Sequence, residues 1–515
     1  MLYYNDKEKE STANNSINIE KMAKDKVKIM QNRLSNETPF LLLFLFVAFY
    51  SWLSPAVYTQ YLSAIVAFTG AIVFFAKLFT EKQSFFISNI FGFLLVFAYM
   101  LTTIANSGYG NTNEQLKSIL WLALIAILIY NAGNSKKRWA SNIRAFALTF
   151  LILTFVASLV GLISYYSSWQ TIVRNPDGTH YIQGFFNKRL FGIYVDPNFG
   201  AMYAVLSLVI SILLTYFFEV NSLLYIGVTL NSIVQYLYIS LTYSRTGVIL
   251  FLFTAIYVII GNSLKNHMKN RHGFNLKQFV ISILLLIAAL GSSFLLWDPP
   301  WTKENITQAP KIALAQSDTI VEKENNGVNE EIPKLKQNFI THDEINDVDK
   351  EIVKVEQGDN KYGVLVREDS NISLEIRITL AKEAWQMWLK APILGHGDRN
   401  LQQSAELYLP SSLMSSGTTP HNSFLYLLIS AGAVAFIIVL IWLLIVFVNW
   451  LKKLVALDFD FQLWLLALPI FITLLSSMVL QDLFYTMSPS SLVFFFFLGT
   501  VSSASDPNIN MTSKS

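Results

Sequence analysis

The 515-residue chain contains no cysteine, which excludes a disulfide framework and any thiolate metal site. Charge is also scarce. Asp, Glu, Lys and Arg make up 14% of the residues, against about 25% in an average soluble domain. No Gly-rich Lys-Ser/Thr phosphate loop appears, so ATP hydrolysis is not indicated. The first 39 residues are polar and lack an apolar h-region, so no cleavable signal peptide is expected. The alternating ten-residue segments of an outer-membrane barrel are missing too, because the apolar runs here are continuous.

Those runs dominate what is present. Hydrophobic residues make up 53% of the chain, and the mean hydropathy is +0.43. A helix crosses a bilayer in about 20 apolar residues, and twelve runs approach that length: 40–58, 61–80, 85–106, 118–132, 143–168, 199–218, 222–242, 246–262, 278–296, 423–448, 462–481 and 485–504. The expected fold is an all-α polytopic membrane protein with about 12 transmembrane helices. Residues 1–39 form a basic tail, 40–296 the first nine spans, 297–421 a large extracytoplasmic loop, 422–504 the last three spans and 505–515 a short tail.

Lys and Arg collect in alternate loops, which orients such a chain in its membrane. With both termini cytosolic, the inner ends hold Lys77, Lys82, Lys136, Lys137, Arg138, Arg144, Lys265, Lys269, Arg271, Lys277, Lys452 and Lys453. The short outer loops hold only Lys117, Arg174, Lys188, Arg189 and Arg245. Within the large loop, residues 301–376 carry 16 acidic and 9 basic side chains, a net of −7, and few aromatics. Such a composition buries little. From Ser373 the apolar spacing predicts an amphipathic helix, ended by Pro392 and followed by a turn at Gly395 and Gly397.

Five places carry candidate chemistry. His421-Asn422 opens the tenth span, where the imidazole reads either as an interfacial cap or as a base for an attacking hydroxyl. Arg189, before Asp196-Pro-Asn198, and Arg245, in the turn Tyr243–Gly247, face the same outer side. They read as a clamp for phosphate oxygens or as contacts to lipid and to Asp196. Arg377 adds a third cation or a plain helix-surface charge. His396, Asp398 and Arg399 share the Gly-His-Gly turn, where a local Asp–Arg pair is one reading and an acceptor site another. Asp458-Phe-Asp460 looks like a nucleotide-sugar metal motif, but no nucleotide-binding domain stands beside it. No metal site and no nucleic-acid partner are expected.

In their order, these residues resemble the O-antigen ligase and polymerase family: Arg189…Gly192…Pro197-Asn198, then Ser244-Arg245, then Arg377…Pro392-Ile-Leu-Gly-His-Gly397, then His421-Asn422 before a Gly-containing span. The resemblance implies a fold similar to membrane-embedded C-type glycosyltransferases, in the cytoplasmic membrane of a bacterium. It implies an undecaprenyl-diphosphate-linked glycan as donor, transferred on the outer face to a sugar hydroxyl, with neither ATP nor a nucleotide sugar and with no cofactor. His421 takes the catalytic position by match, and Arg245, Arg189 and Arg377 the diphosphate-binding ones. His396, Asp398 and Arg399 fall at the acceptor side. A flippase and a chain-length regulator of the same route are the implied partners, beside membrane lipid. Polymerisation of lipid-linked repeats is favoured over transfer to a glycolipid core. A transporter is the rival class, but transporters place ionisable groups near the midplane, and the polar groups here gather at the outer rim.

Overall fold

An apolar run in a bilayer can pair its peptide groups only within itself, so it must become a helix. The computed structural model describes residues 35–53, 58–108, 110–174, 180–186, 189–219, 221–270, 354–355, 362–363, 370–457, 459–480, 483–484 and 487–505. Eleven of the twelve expected runs coincide with helices. They are α1 (Glu37–Ser51), α2 (Thr59–Glu81), α3 with α4 (Gln83–Ser88 and Ile90–Ala105), α5 (Thr112–Asn134), α6 (Trp139–Tyr166), α7 (Pro197–Phe217), α8 (Ser222–Leu241) and α9 (Arg245–Asn270). After α10 (Ser370–Lys390) and α11 (Leu401–Tyr408) come α12 (Ser423–Ala456), α13 with α14 (Phe461–Leu466 and Leu468–Ser477) and α15 (Pro489–Ala504). By length and composition, seven described helices suffice to cross a membrane: α2, α5, α6, α7, α8, α9 and α12. The other four expected runs form shorter apolar helices. The run 278–296 lies outside the described residues, as do 1–34, 506–515 and Lys188.

Lipid tails are as apolar as leucine, so these helices associate by close packing and by polar contacts rather than by a hydrophobic drive. Both devices are present. A Cβ on Gly133 of α5 would stand 2.0 Å from the Phe496 carbonyl, and one on Gly499 of α15 would stand 2.1 Å from the Tyr130 carbonyl, so the two backbones touch. Polar side chains lace α6, α7 and α8 together. Thr154 donates to Ser207 (2.8 Å), Asn231 to Ser207 and Ser211 (3.0 and 3.1 Å), Gln235 to Asn231 (2.9 Å) and Ser158 to Gln235 (2.8 Å). All of these residues are buried.

The helices alternate in direction and define two ends. At one, Lys77 Nζ lies 2.6 Å from both Glu37 and Glu81, and Lys265 sits over the Phe461 ring. The Gln462 amide there reaches the Tyr216 carbonyl, while Asp460 caps α13 by accepting from the backbone N–H of Gln462 and Leu463. Asp458 is outside the described residues. At the opposite end, Trp52 Nε1 donates to the Met487 carbonyl, Val195 N to the Trp52 carbonyl and Ser423 Oγ to the Leu480 carbonyl.

That second end also carries a small sheet, which adds strands to the expected all-α architecture. Strands β1 (Gln170–Arg174), β2 (His180–Phe186) and β3 (Arg189–Gly192) pair antiparallel in that order. Gly184 takes φ +84° at a bulge, and a Cβ there would meet the Trp169 carbonyl at 2.0 Å, so only glycine fits. The expected loop 297–421 divides in two. Residues 301–376 form a unit of their own, in which Lys354–Val355 (β4) pairs antiparallel with Tyr362–Gly363 (β5). Residues from Arg377 onward belong to the helical unit.

Candidate functional site

Helix α12 breaks at Gly432, where φ is 72° and ψ −175°. A break inside a membrane helix frees backbone groups that need new partners. In an intact helix the carbonyls of Ile429 and Ser430 would accept from Ala433 and Val434. Instead they accept from the N–H groups of His396 (2.9 Å) and Gly397 (2.8 Å). The freed N–H groups of Ala433 and Val434 donate to the carbonyls of Pro392 (2.9 Å) and Ile393 (3.3 Å). The segment Pro392–Gly397 is therefore a plug that replaces two helical hydrogen bonds with four. Two more of its carbonyls are met from α4 and its C-cap, by Thr102 Oγ1 to Leu394 (2.6 Å) and Asn106 Nδ2 to Gly395 (3.2 Å). Backbones approach so closely that a Cβ on Gly395 would lie 2.7 Å from the nitrogens of Ala431 and Gly432.

The plug explains the Gly-His-Gly turn. His396 is 1% exposed, and its Nε2 lies 2.8 Å from the Met387 carbonyl. A carbonyl only accepts, so that nitrogen carries the hydrogen. Nδ1 is buried and finds no donor among the described residues. Burial holds the pKa of His396 below the ordinary 6.5, while the bond to Met387 opposes this. In the window below pH 6.5 the unfolded chain therefore takes up a proton that the folded chain refuses, and stability falls as pH drops. Thermal melts in detergent from pH 7.5 to 5.5 should show that loss, and His396→Gln, which does not titrate, should flatten it. An unchanged slope in His396→Gln would place the acid sensitivity elsewhere.

Asp398 is the second tie. Its carboxylate accepts from the hydroxyls of Ser118 on α5 and Tyr426 on α12, and Arg399 Nε lies 3.4 Å away. Arg399 Nε also donates to Ser118 Oγ (3.2 Å), and its side chain remains 31% exposed. The local Asp–Arg pair exists, but its main effect is to fasten the plug to two helices. Thr102, Asn106, Ser118 and Tyr426 were missed as site supports. Their one sequence signal is polarity inside or beside an apolar run.

At the sheet, Arg189 Nε donates to the carbonyl of Thr242 (3.1 Å), three residues before Arg245. The turn between α8 and α9 is itself held: Ser244 Oγ donates to Asn198 Oδ1 (2.9 Å) and accepts from Gly247 N (3.1 Å). Tyr243 takes φ +51° to make this turn. Asp196, next to Asn198, caps α7 by accepting from Asn198 N at 2.6 Å. Two cations that the positive-inside rule disfavours are thus built into one frame, and Arg245 is exposed at the first position of α9.

His421 is exposed and precedes Asn422, the N-cap of α12, whose side chain accepts from Phe424 N and Leu425 N. Asn422 Nδ2 reaches the Met478 carbonyl (3.2 Å). Through Met478–Leu480, Met487, Trp52 and Val195, His421 shares the end of the bundle that holds Asn198 and the arginine turn. Arg377 stands on α10 at the spacing of its buried stripe Leu380, Ala384 and Met387. These pack with Tyr426 and Ile429 of α12 into a small core. The structure joins Arg189 to the turn of Arg245, and sets Arg377 on the helix whose buried stripe packs against the first turns of α12. The two groups share one end of the molecule.

Residues 230–440 match the family model described as O-antigen ligase. This stretch belongs to the O-antigen ligase and polymerase family. A comparison with curated proteins found no match. The O-antigen ligase stretch starts within α8 and takes in Arg245, Arg377, the plug, His421 and the break at Gly432. Arg189 and its sheet precede it, and the bond to Thr242 ties Arg189 to the turn before Arg245. With the apolar helices, the match supports a membrane glycan-processing role of the ligase or polymerase type.

Proposed function

We propose that the chain polymerises undecaprenyl-diphosphate-linked oligosaccharide repeats on the outer face of the cytoplasmic membrane, by inverting glycosyl transfer. The observation that carries this reading is the frame holding Arg189 and the Arg245 turn at the bundle end where α12 presents His421. Both termini would then be cytosolic, because the opposite end carries Lys77, Arg144 and Lys265.

In this mechanism the guanidinium groups meet the diphosphate, and their interaction strengthens as negative charge grows on the leaving group. His421 accepts the proton of the acceptor hydroxyl as that oxygen attacks the anomeric carbon. The bond from that carbon to the diphosphate oxygen breaks, and undecaprenyl diphosphate departs. Arg377 supplies a third cation for the diphosphate, while His396 and Asp398 hold the plug so that Arg399 faces the acceptor sugar. A ligase differs only in the acceptor, a glycolipid core in place of a second repeat. The flippase that supplies the donor and a chain-length regulator are the partners this reading requires.

Membrane vesicles of both orientations test it. With donor added outside, chelator present and ATP absent, right-side-out vesicles should build a ladder of glycan lengths and inverted ones should not. A single transfer onto glycolipid core would establish the ligase instead. An absolute need for a divalent cation or ATP, or activity in inverted vesicles alone, would overturn the mechanism or the orientation.

A further inference from the structure

The diphosphate-binding reading leaves one buried group unused. Tyr238, on the last turn of α8, is fully buried, and its hydroxyl donates to the Phe191 carbonyl at 2.9 Å. Phe191 stands two residues after Arg189 on β3. Four residues after Tyr238, the Thr242 carbonyl accepts from Arg189 Nε at 3.1 Å. Helix and strand therefore latch at two points, Tyr238 to Phe191 and Thr242 to Arg189.

The ring of Tyr238 is seated with equal care. A Cβ on Gly161 of α6 would lie 2.7 Å from ring atom Cε2, and one on Gly200 of α7 would lie 2.7 Å from the hydroxyl. A third glycine, Gly192, adjoins the accepting carbonyl at φ +61°, and a Cβ there would lie 3.3 Å from the ring and the hydroxyl. Tyr194 closes the cradle edge-on, at 5.7 Å between ring centres. Three separate elements thus forgo a side chain around this one phenol. Packing alone does not require the hydroxyl, since phenylalanine fills the same seat. The oxygen's distinct contribution is to fix the strand that carries Arg189.

We propose that Tyr238 is a positioning residue for diphosphate binding: its bond to the Phe191 carbonyl holds β3 so that Arg189 meets the phosphates in register with Arg245. This rests on the reading that the two arginines bind a lipid diphosphate. Farnesyl diphosphate is a suitable probe, because it presents the diphosphate without any particular sugar. Its affinity for the purified full chain in detergent is measured for wild type, Tyr238→Phe, Arg189→Ala and the double variant, with thermal melts alongside. Tyr238→Phe should weaken binding about tenfold with an almost unchanged melt, and should have no further effect once Arg189 is alanine. Gly200→Ala, which displaces the hydroxyl without deleting it, should weaken binding in the same Arg189-dependent way. It keeps the test open should Tyr238→Phe fold poorly. If Tyr238→Phe loses the same factor in both backgrounds, or loses nothing, the positioning role is wrong. If Arg189→Ala binds the probe like wild type, the diphosphate reading itself falls.

Discussion

His421→Ala should lower glycan formation by roughly 10²–10⁴-fold, the range for loss of a positioned general base, while the protein accumulates normally in the membrane. Normal abundance is expected because His421 is exposed and the helix start depends on its neighbour. Asn422 supplies the cap, and Ser423 Oγ bonds the Leu480 carbonyl and accepts from Leu483 N. Arg245→Lys should act at the other substrate. It keeps the charge but loses the planar fork, and removing a transition-state donor of this kind costs roughly 10²–10³ in rate. Arg245 is exposed at the first position of α9, and Ser244 and Asn198 hold the turn beside it. His396→Ala is the informative contrast. Its ring packs inside the plug, so the variant should lose folded protein rather than turnover per folded molecule. The measurement is polymer made in a deletion strain, normalised to the monodisperse fraction of each variant. Normal polymer from His421→Ala at normal abundance would show that the base lies elsewhere.

Gly432→Ala should cost more in folding than any other single methyl in the N-terminal half of α12. The backbone at Gly432 lies at φ 72°, ψ −175°, a region that is essentially glycine-only and carries about 1–3 kcal/mol of strain for other residues. The added Cβ would also meet the Ile393 carbonyl oxygen at 2.2 Å and its carbon at 2.4 Å. Those are backbone atoms pinned by the bond from Val434 N, so they cannot swing aside. Overpacking of this kind adds about another 1–3 kcal/mol. The variant relieves the clash only by expelling the plug, which exposes four backbone groups of α12 inside the bilayer. A lower melting midpoint and a smaller monodisperse peak in detergent are the expected results. Gly227→Ala is the control, since a Cβ there meets nothing within 4 Å. Equal melts for the two variants would show that the break carries no stability.

The spans were legible because a membrane helix satisfies its backbone locally, so hydropathy and length alone call for it. The turn at Tyr243–Gly247 and the amphipathic helix before Pro392 followed from residues close together in the chain. The match over residues 230–440 takes in the motifs from Ser244-Arg245 to His421-Asn422, while Arg189 to Asn198 precede it.

What only the tertiary structure decided is long-range. Locally, Gly395 and Gly397 make a turn and Gly432 is a glycine within an apolar span; hydrogen bonds across more than thirty residues make them one plug. The sheet at 170–192 was read as loop, since strand pairing leaves little periodic trace in so short a run. Arg189 reached the arginine turn through a bond spanning 53 positions, and burial withdrew His396 from solvent while leaving His421 exposed. Local chemistry named the residues. Which of two histidines met water, and which arginines shared a frame, depended on contacts that no local pattern encodes.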